Sequence, residues 1–82
     1  MTRSFSAWKT EALARLIELE RRYANDQEAL QTLEGLVKRL LRLRRRDVIY
    51  FLAILREGAR TCPELLDLFP EPEEVAEWFQ EG

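Results

Sequence analysis

Apolar residues return along the first quarter of the chain at steps of three and four: Phe5, Trp8, Ala12, Leu16, Leu19 and Tyr23, with Leu13 and Ile17 widening the stripe. That is the period of an amphipathic α-helix, and it predicts helix over about residues 5–23. Ser4 and Ser6 are candidate N-caps, and Arg21 with Arg22 fall in the last turn, where cations complement the carbonyl end of the helix dipole. Asn25 and Asp26 read as a turn, either one suited to cap the next helix.

A second stripe runs through Leu30, Leu33, Leu36, Val37, Leu40, Leu41 and Leu43 and predicts helix over about 27–44. Leu33, Leu36, Leu40 and Leu43 alone make two heptads of a and d positions, shorter than the three or four that a coiled coil needs. Gly35 costs about 1 kcal/mol against alanine inside a helix, so a close helix contact or a local irregularity is expected there. Cations then crowd the sequence until Asp47. Because cations favour a helix end and acids a helix start, the pattern predicts a break near Arg45 and Arg46. The alternative is one continuous helix over 27–57, since no Gly or Pro lies between Leu36 and Glu57.

The third helix, about 47–57, contains the unbroken apolar run Val48–Leu55 and is expected to be buried on all sides. A strand is excluded for that run because no second strand candidate exists to pair with it. Gly58 suits a helix end. Thr61, Pro63 and Glu64 then open a short helix over 62–69 that Pro70 stops, and a last short helix covers 72–80, with Glu73 and Glu74 at its amino end and Val75, Trp78 and Phe79 on one face. The expected fold is all-α: a compact bundle of four to five helices, the last two short, in a single domain over residues 1–82, with helix 47–57 as the central buried element.

Composition supports a folded chain and changes the picture at one point only. At 82 residues, 46% hydrophobic and 34% charged, the chain has enough apolar material for a core. Its net charge of −2 conceals two opposed regions. Residues 1–60 hold 13 basic and 8 acidic residues, a net of +5, whereas residues 61–82 hold no basic and 7 acidic residues, a net of −7. The positive charge concentrates in Lys38, Arg39, Arg42, Arg44, Arg45 and Arg46, six cations within nine residues and no acid among them.

Several function classes are excluded by what the chain lacks. With no histidine there is no Ser-His or Cys-His nucleophilic pair, and with one cysteine there is neither an internal disulfide nor a thiolate zinc site. Three glycines leave no phosphate-cradling loop. Glu73 and Glu77 form a carboxylate pair, but on an exposed face of a short helix rather than in a cleft. No enzyme activity, cofactor or metal is expected. The lone Cys62 argues for the cytoplasm, no signal peptide is visible, and the longest apolar run, eight residues, falls far below the roughly 18 to 20 needed to span a bilayer.

The candidate binding residues are therefore Lys38, Arg39, Arg42, Arg44, Arg45 and Arg46, together with Trp78 as an aromatic anchor if its ring is exposed. Three readings of the cations stand side by side. They form a solvated face partly neutralised by the acidic tail, or they dock on an acidic protein surface, or they contact nucleic-acid phosphates. The last is weakened because the sequence pI is about 5.2, no recognised nucleic-acid motif is present and the aromatic residues lie outside the block. The leading expectation is a non-catalytic protein-interaction module or small regulatory or inhibitory protein, binding through the arginine-rich helix end, the acidic C-terminal helices or both. Homodimerisation through the leucine-rich second helix is expected with it. The alternatives are a nucleic-acid-binding accessory protein using Lys38–Arg46, and attachment of the same cationic, leucine-rich helix to anionic lipid.

Overall fold

Ser4 Oγ accepts from the Ala7 amide at 3.0 Å and starts α1, Phe5–Arg22; Asp26 Oδ1 accepts from the Ala29 amide at 3.2 Å and starts α2, Gln27–Leu41. Each side chain satisfies an amide that the first helical turn leaves without a partner. The computed structural model describes residues 2–80. A short 3₁₀ turn at Arg45–Asp47 leads into α3, Val48–Gly58; a second 3₁₀ segment, Pro63–Leu68, precedes α4, Pro72–Gln80. No strand occurs among the described residues, so the chain is an all-α bundle of the expected kind.

The antiparallel pair α1 and α2 is the largest packing unit, and α3 lies against α2 and the Pro63–Leu68 segment. The two leucine-period stripes meet inside it: Trp8, Ala12, Leu16 and Leu19 from α1 and Ala29, Leu33, Leu36 and Leu40 from α2 are all buried. The remaining core comes from Val48, Phe51 and Leu55 of α3, from Cys62, Leu65 and Leu68, and from Trp78. At one end the rings of Phe5, Trp8, Phe51 and Trp78 form a cluster, with centroids 5.4 Å apart for Trp8 and Trp78 and an edge-on contact of Trp8 with Phe51 at 6.1 Å. Both indoles donate to backbone carbonyls, Trp8 Nε1 to Leu68 at 2.8 Å and Trp78 Nε1 to Arg3 at 2.9 Å, so neither buried N–H is left unpaired.

Five expectations need correction. The chain does break between α2 and α3, so residues 27–57 are two helices, but α2 ends at Leu41 rather than near Arg44. There the amides of Arg42 and Leu43 turn back to the carbonyls of Arg39 and Leu40, and Lys9 Nζ donates to the carbonyls of Leu43 (3.1 Å) and Leu41 (3.4 Å). An ammonium on the carbonyl end of a helix is the contact its dipole favours.

Next, α3 is not buried all round: Val48, Phe51 and Leu55 face inward, while Ile49 and Tyr50 are 57% and 69% exposed. A chain this small has too few elements to cover both sides of a helix. Residues 63–68 form a 3₁₀ rather than an α-helix. The span is fenced by Pro63 and Pro70, and a residue before proline is driven out of the α region, which leaves too little length for an α-helical ladder.

Finally, Trp78 is 1% exposed and belongs to the aromatic core, so it is not an exposed anchor.

Gly35 has no close helix contact either, since a Cβ built there meets no heavy atom within 4 Å. Its helix is regular, so only the backbone-entropy cost of glycine remains. Gly35→Ala is expected to raise stability by about 0.5–1 kcal/mol, read as a higher urea midpoint with an unchanged slope.

Candidate functional site

The corner where α2 turns into α3 carries the basic block, and the fold divides that block between two grooves. Lys38 and Arg39 of α2 and Arg42 just past its end line the first, with Leu43, Asp47 and, from α3, Tyr50, Phe51 and Ile54; its volume is about 490 Å³. The second, of about 380 Å³, is lined by Arg44, Arg45 and Arg46 together with Trp78 and Phe79. Lys38, Arg39 and Arg42 fall on one side because residues three and four apart share a helix face. The 3₁₀ turn then rotates the next three arginines toward α4, which packs on that turn and on α1.

Among the described residues, no carboxylate lies within ion-pair distance of Lys38, Arg39, Arg42, Arg44 or Arg46. The acidic tail pairs elsewhere, so its described residues do not neutralise those five cations by contact. Glu74 binds Arg3, Asp67 approaches Arg15 at 4.0 Å, Glu64 accepts from Tyr23 at 2.6 Å, and Glu77 accepts from Thr2 Oγ1. Glu81, the last acid of the tail, lies outside the described residues. Asp47 is the one carboxylate in the first groove, and it makes no capping hydrogen bond to α3.

Glu74 is the strongest electrostatic feature of the chain, and reading the tail as a solvated face misses it. Only 3% exposed, it accepts from the Arg3 amide, Nε and Nη2, each at 2.8 Å, and from the Glu71 amide at 2.9 Å. The last of these bonds is half of a capping box, with glutamate at the N3 position of α4. The Arg3 guanidinium holds the Glu74 carboxyl down at about 2, and Arg3 is in turn held charged by Glu74 and by Glu11 at 2.6 Å. The signal available in the sequence is the spacing of Glu71 and Glu74; nothing local names Arg3 as the partner.

Three further titrating groups define what the chain does not offer. Hydrogen bonding to Glu64 pushes Tyr23 up to about 12 and draws Glu64 down, so that pair is a structural tie between the end of α1 and the Pro63–Leu68 segment. Burial pushes the Cys62 thiol up and keeps it protonated and inaccessible, the opposite of a reactive cysteine.

Exposed apolar side chains also gather at the corner. Leu41 ends α2, Ile49 and Tyr50 begin α3, and Phe79 sits beside Arg44–Arg46, with exposures of 57%, 57%, 69% and 47%. The fold thus brings aromatic rings to the arginines that are remote from them in sequence. By contrast, Leu33, Leu36 and Leu40 of the α2 stripe are enclosed in the chain's own core, and Leu41 is the exposed member of that stripe. No helix among the described residues is long and apolar enough to cross a membrane. Comparison with protein-family models, curated proteins and solved structures gives no match for this chain.

Proposed function

We propose that the chain is a non-catalytic protein-interaction module or small regulator that binds an acidic partner surface through the α2–α3 corner. The observation that carries this reading is the coincidence, at one end of the fold, of five cations that no carboxylate among the described residues contacts and four exposed apolar side chains. Arginine beside tyrosine and other rings is the composition of binding hot spots, where guanidinium forks take carboxylates and the rings supply apolar area. A cytoplasmic site of action goes with it, since a lone buried thiol needs no oxidising compartment.

Affinity capture from the native cell tests the reading, using the intact protein and a variant with Arg42, Arg44, Arg45 and Arg46 changed to Glu. A protein partner retained by the first and lost by the second is the expected result, and a partner set indifferent to the change removes the reading.

The placement of Tyr50 and Phe79 against the arginines favours a second reading, single-stranded nucleic acid. Rings beside cations are what stacking on bases requires, and the sequence objection that the aromatics lie outside the block no longer holds. Anisotropy of a labelled oligonucleotide decides it. Binding through the corner falls with salt at a log–log slope of roughly one per phosphate contact, and absence of binding at low salt eliminates this alternative.

A further inference from the structure

Resting on the reading of the corner as a protein-docking surface, we infer that one occupant of the Lys38–Arg42 groove is α4 of a second copy of this chain, the two copies related by a two-fold axis.

The two helices match in spacing. Lys38, in the last turn of α2, and Arg42, the residue that caps it, are both exposed and stand four residues apart, a rise of about 6 Å. On α4, Glu73 and Glu77 are both exposed and stand four residues apart, with the same rise. Ala76 lies between them on the same outward stripe, small enough to let the helix settle toward Tyr50 and Ile54 on the far wall. Among the described residues Glu73 has no ion-pair partner and Glu77 accepts from the Thr2 hydroxyl alone, so both carboxylates remain able to accept from a cation.

The symmetry comes from where the two surfaces lie. The groove and α4 flank the same turn, Arg45–Asp47, on which α4 packs. When donor and acceptor surfaces share one end of a molecule, a two-fold pairing engages both at once: α4 of each copy meets the groove of the other, and the assembly closes. The same pairing covers Tyr50, the exposed aromatic ring on the wall of the groove. Its contact is small and mostly charged, so it is weak and sensitive to salt.

Sedimentation equilibrium of the full chain tests this by charge exchange. One variant carries Lys38→Glu and Arg42→Glu; another carries Glu73→Lys and Glu77→Lys. Wild type is expected to approach twice the monomer mass at high concentration in low salt and to return to monomer in high salt. Each variant alone presents like charges to itself and stays monomeric, whereas an equimolar mixture restores the dimer. Circular dichroism checks that each variant is folded. Should the lysine variant lose helix, Glu73→Gln with Glu77→Gln removes charge without reversing it and weakens association on its own.

The inference is overturned by a wild type that is monomeric throughout in low salt, by a mixture that fails to associate, or by open chains longer than a dimer. A monomeric wild type whose captured partner is nevertheless lost on the arginine variant also overturns it, assigning the groove to that partner and leaving the proposed function intact. An oligonucleotide that binds a monomeric wild type at the corner has the same effect in favour of nucleic acid.

Discussion

Trp8→Ala is expected to bring the chain close to its unfolding midpoint without any denaturant. Trp8 is 1% exposed and touches Phe5, Phe51 and Trp78, so it joins α1, α3 and α4 in one cluster. Truncating a buried tryptophan costs about 3–5 kcal/mol, and the Leu68 carbonyl, which accepts from Trp8 Nε1, loses its partner at a further cost of about 1 kcal/mol. A domain of this length has a total stability of roughly 4–12 kcal/mol, at about 0.05–0.15 kcal/mol per residue. The loss is therefore of the order of the whole. Urea titration followed by circular dichroism reads it directly, with Trp8→Phe as the control that keeps a ring and gives up the hydrogen bond. A Trp8→Ala chain within about 1.5 kcal/mol of wild type contradicts this account of the core.

Acid is expected to loosen the chain through Glu74. Its folded pKa is depressed from an ordinary 4.5 to about 2. A carboxyl depressed on folding contributes stability that is fully present above 4.5 and is lost as pH falls through about 2, because the unfolded chain takes up the proton first. The shift corresponds to about 3 kcal/mol, which we reduce to about 2 because the Arg3 side chain is a third exposed to water. Glu74→Gln keeps the shape and removes the charge, so its deficit against wild type should be about 2 kcal/mol near neutral pH and vanish toward pH 2. Glu64 is drawn down in the same direction and loses its contribution over an overlapping range, but it does so in both proteins and cancels in the difference. A deficit that does not change with pH would falsify the role given to the Arg3–Glu74 pair.

Features written in local chemistry were legible from the sequence. The stripes of α1 and α2, the cap at Ser4, the break before Asp47 and the limits set by Pro63 and Pro70 all depend on neighbours within a few residues. The exposure of Ile49 and Tyr50 was not legible, because eight apolar residues in a row fit a buried helix equally well until the number of elements available to cover it is known. Nor was the meeting of Phe79 with Arg44–Arg46, which requires α4 to return across the bundle. The Arg3–Glu74 tie joins residues 71 positions apart, and an ordinary arginine just ahead of α1 carries no mark of that partner. Lys9 is similar: one lysine on the polar side of α1 donates to the carbonyls where α2 stops, and only the packed structure shows it.

The Arg3 tie also has a consequence for the order in which the chain can complete itself. During synthesis residue 3 emerges first among the groups of the aromatic end, and Glu74 and Trp78 emerge last. The helical hairpin of α1 and α2 can form while the rest is still being made. The aromatic cluster cannot, because the carboxylate that grips the segment ahead of α1 and the indole that bonds its carbonyl are supplied only when α4 leaves the ribosome. Until then Trp8 lacks its neighbour and the bundle stays open at that end, so the closure of this fold waits on α4 however early the hairpin forms.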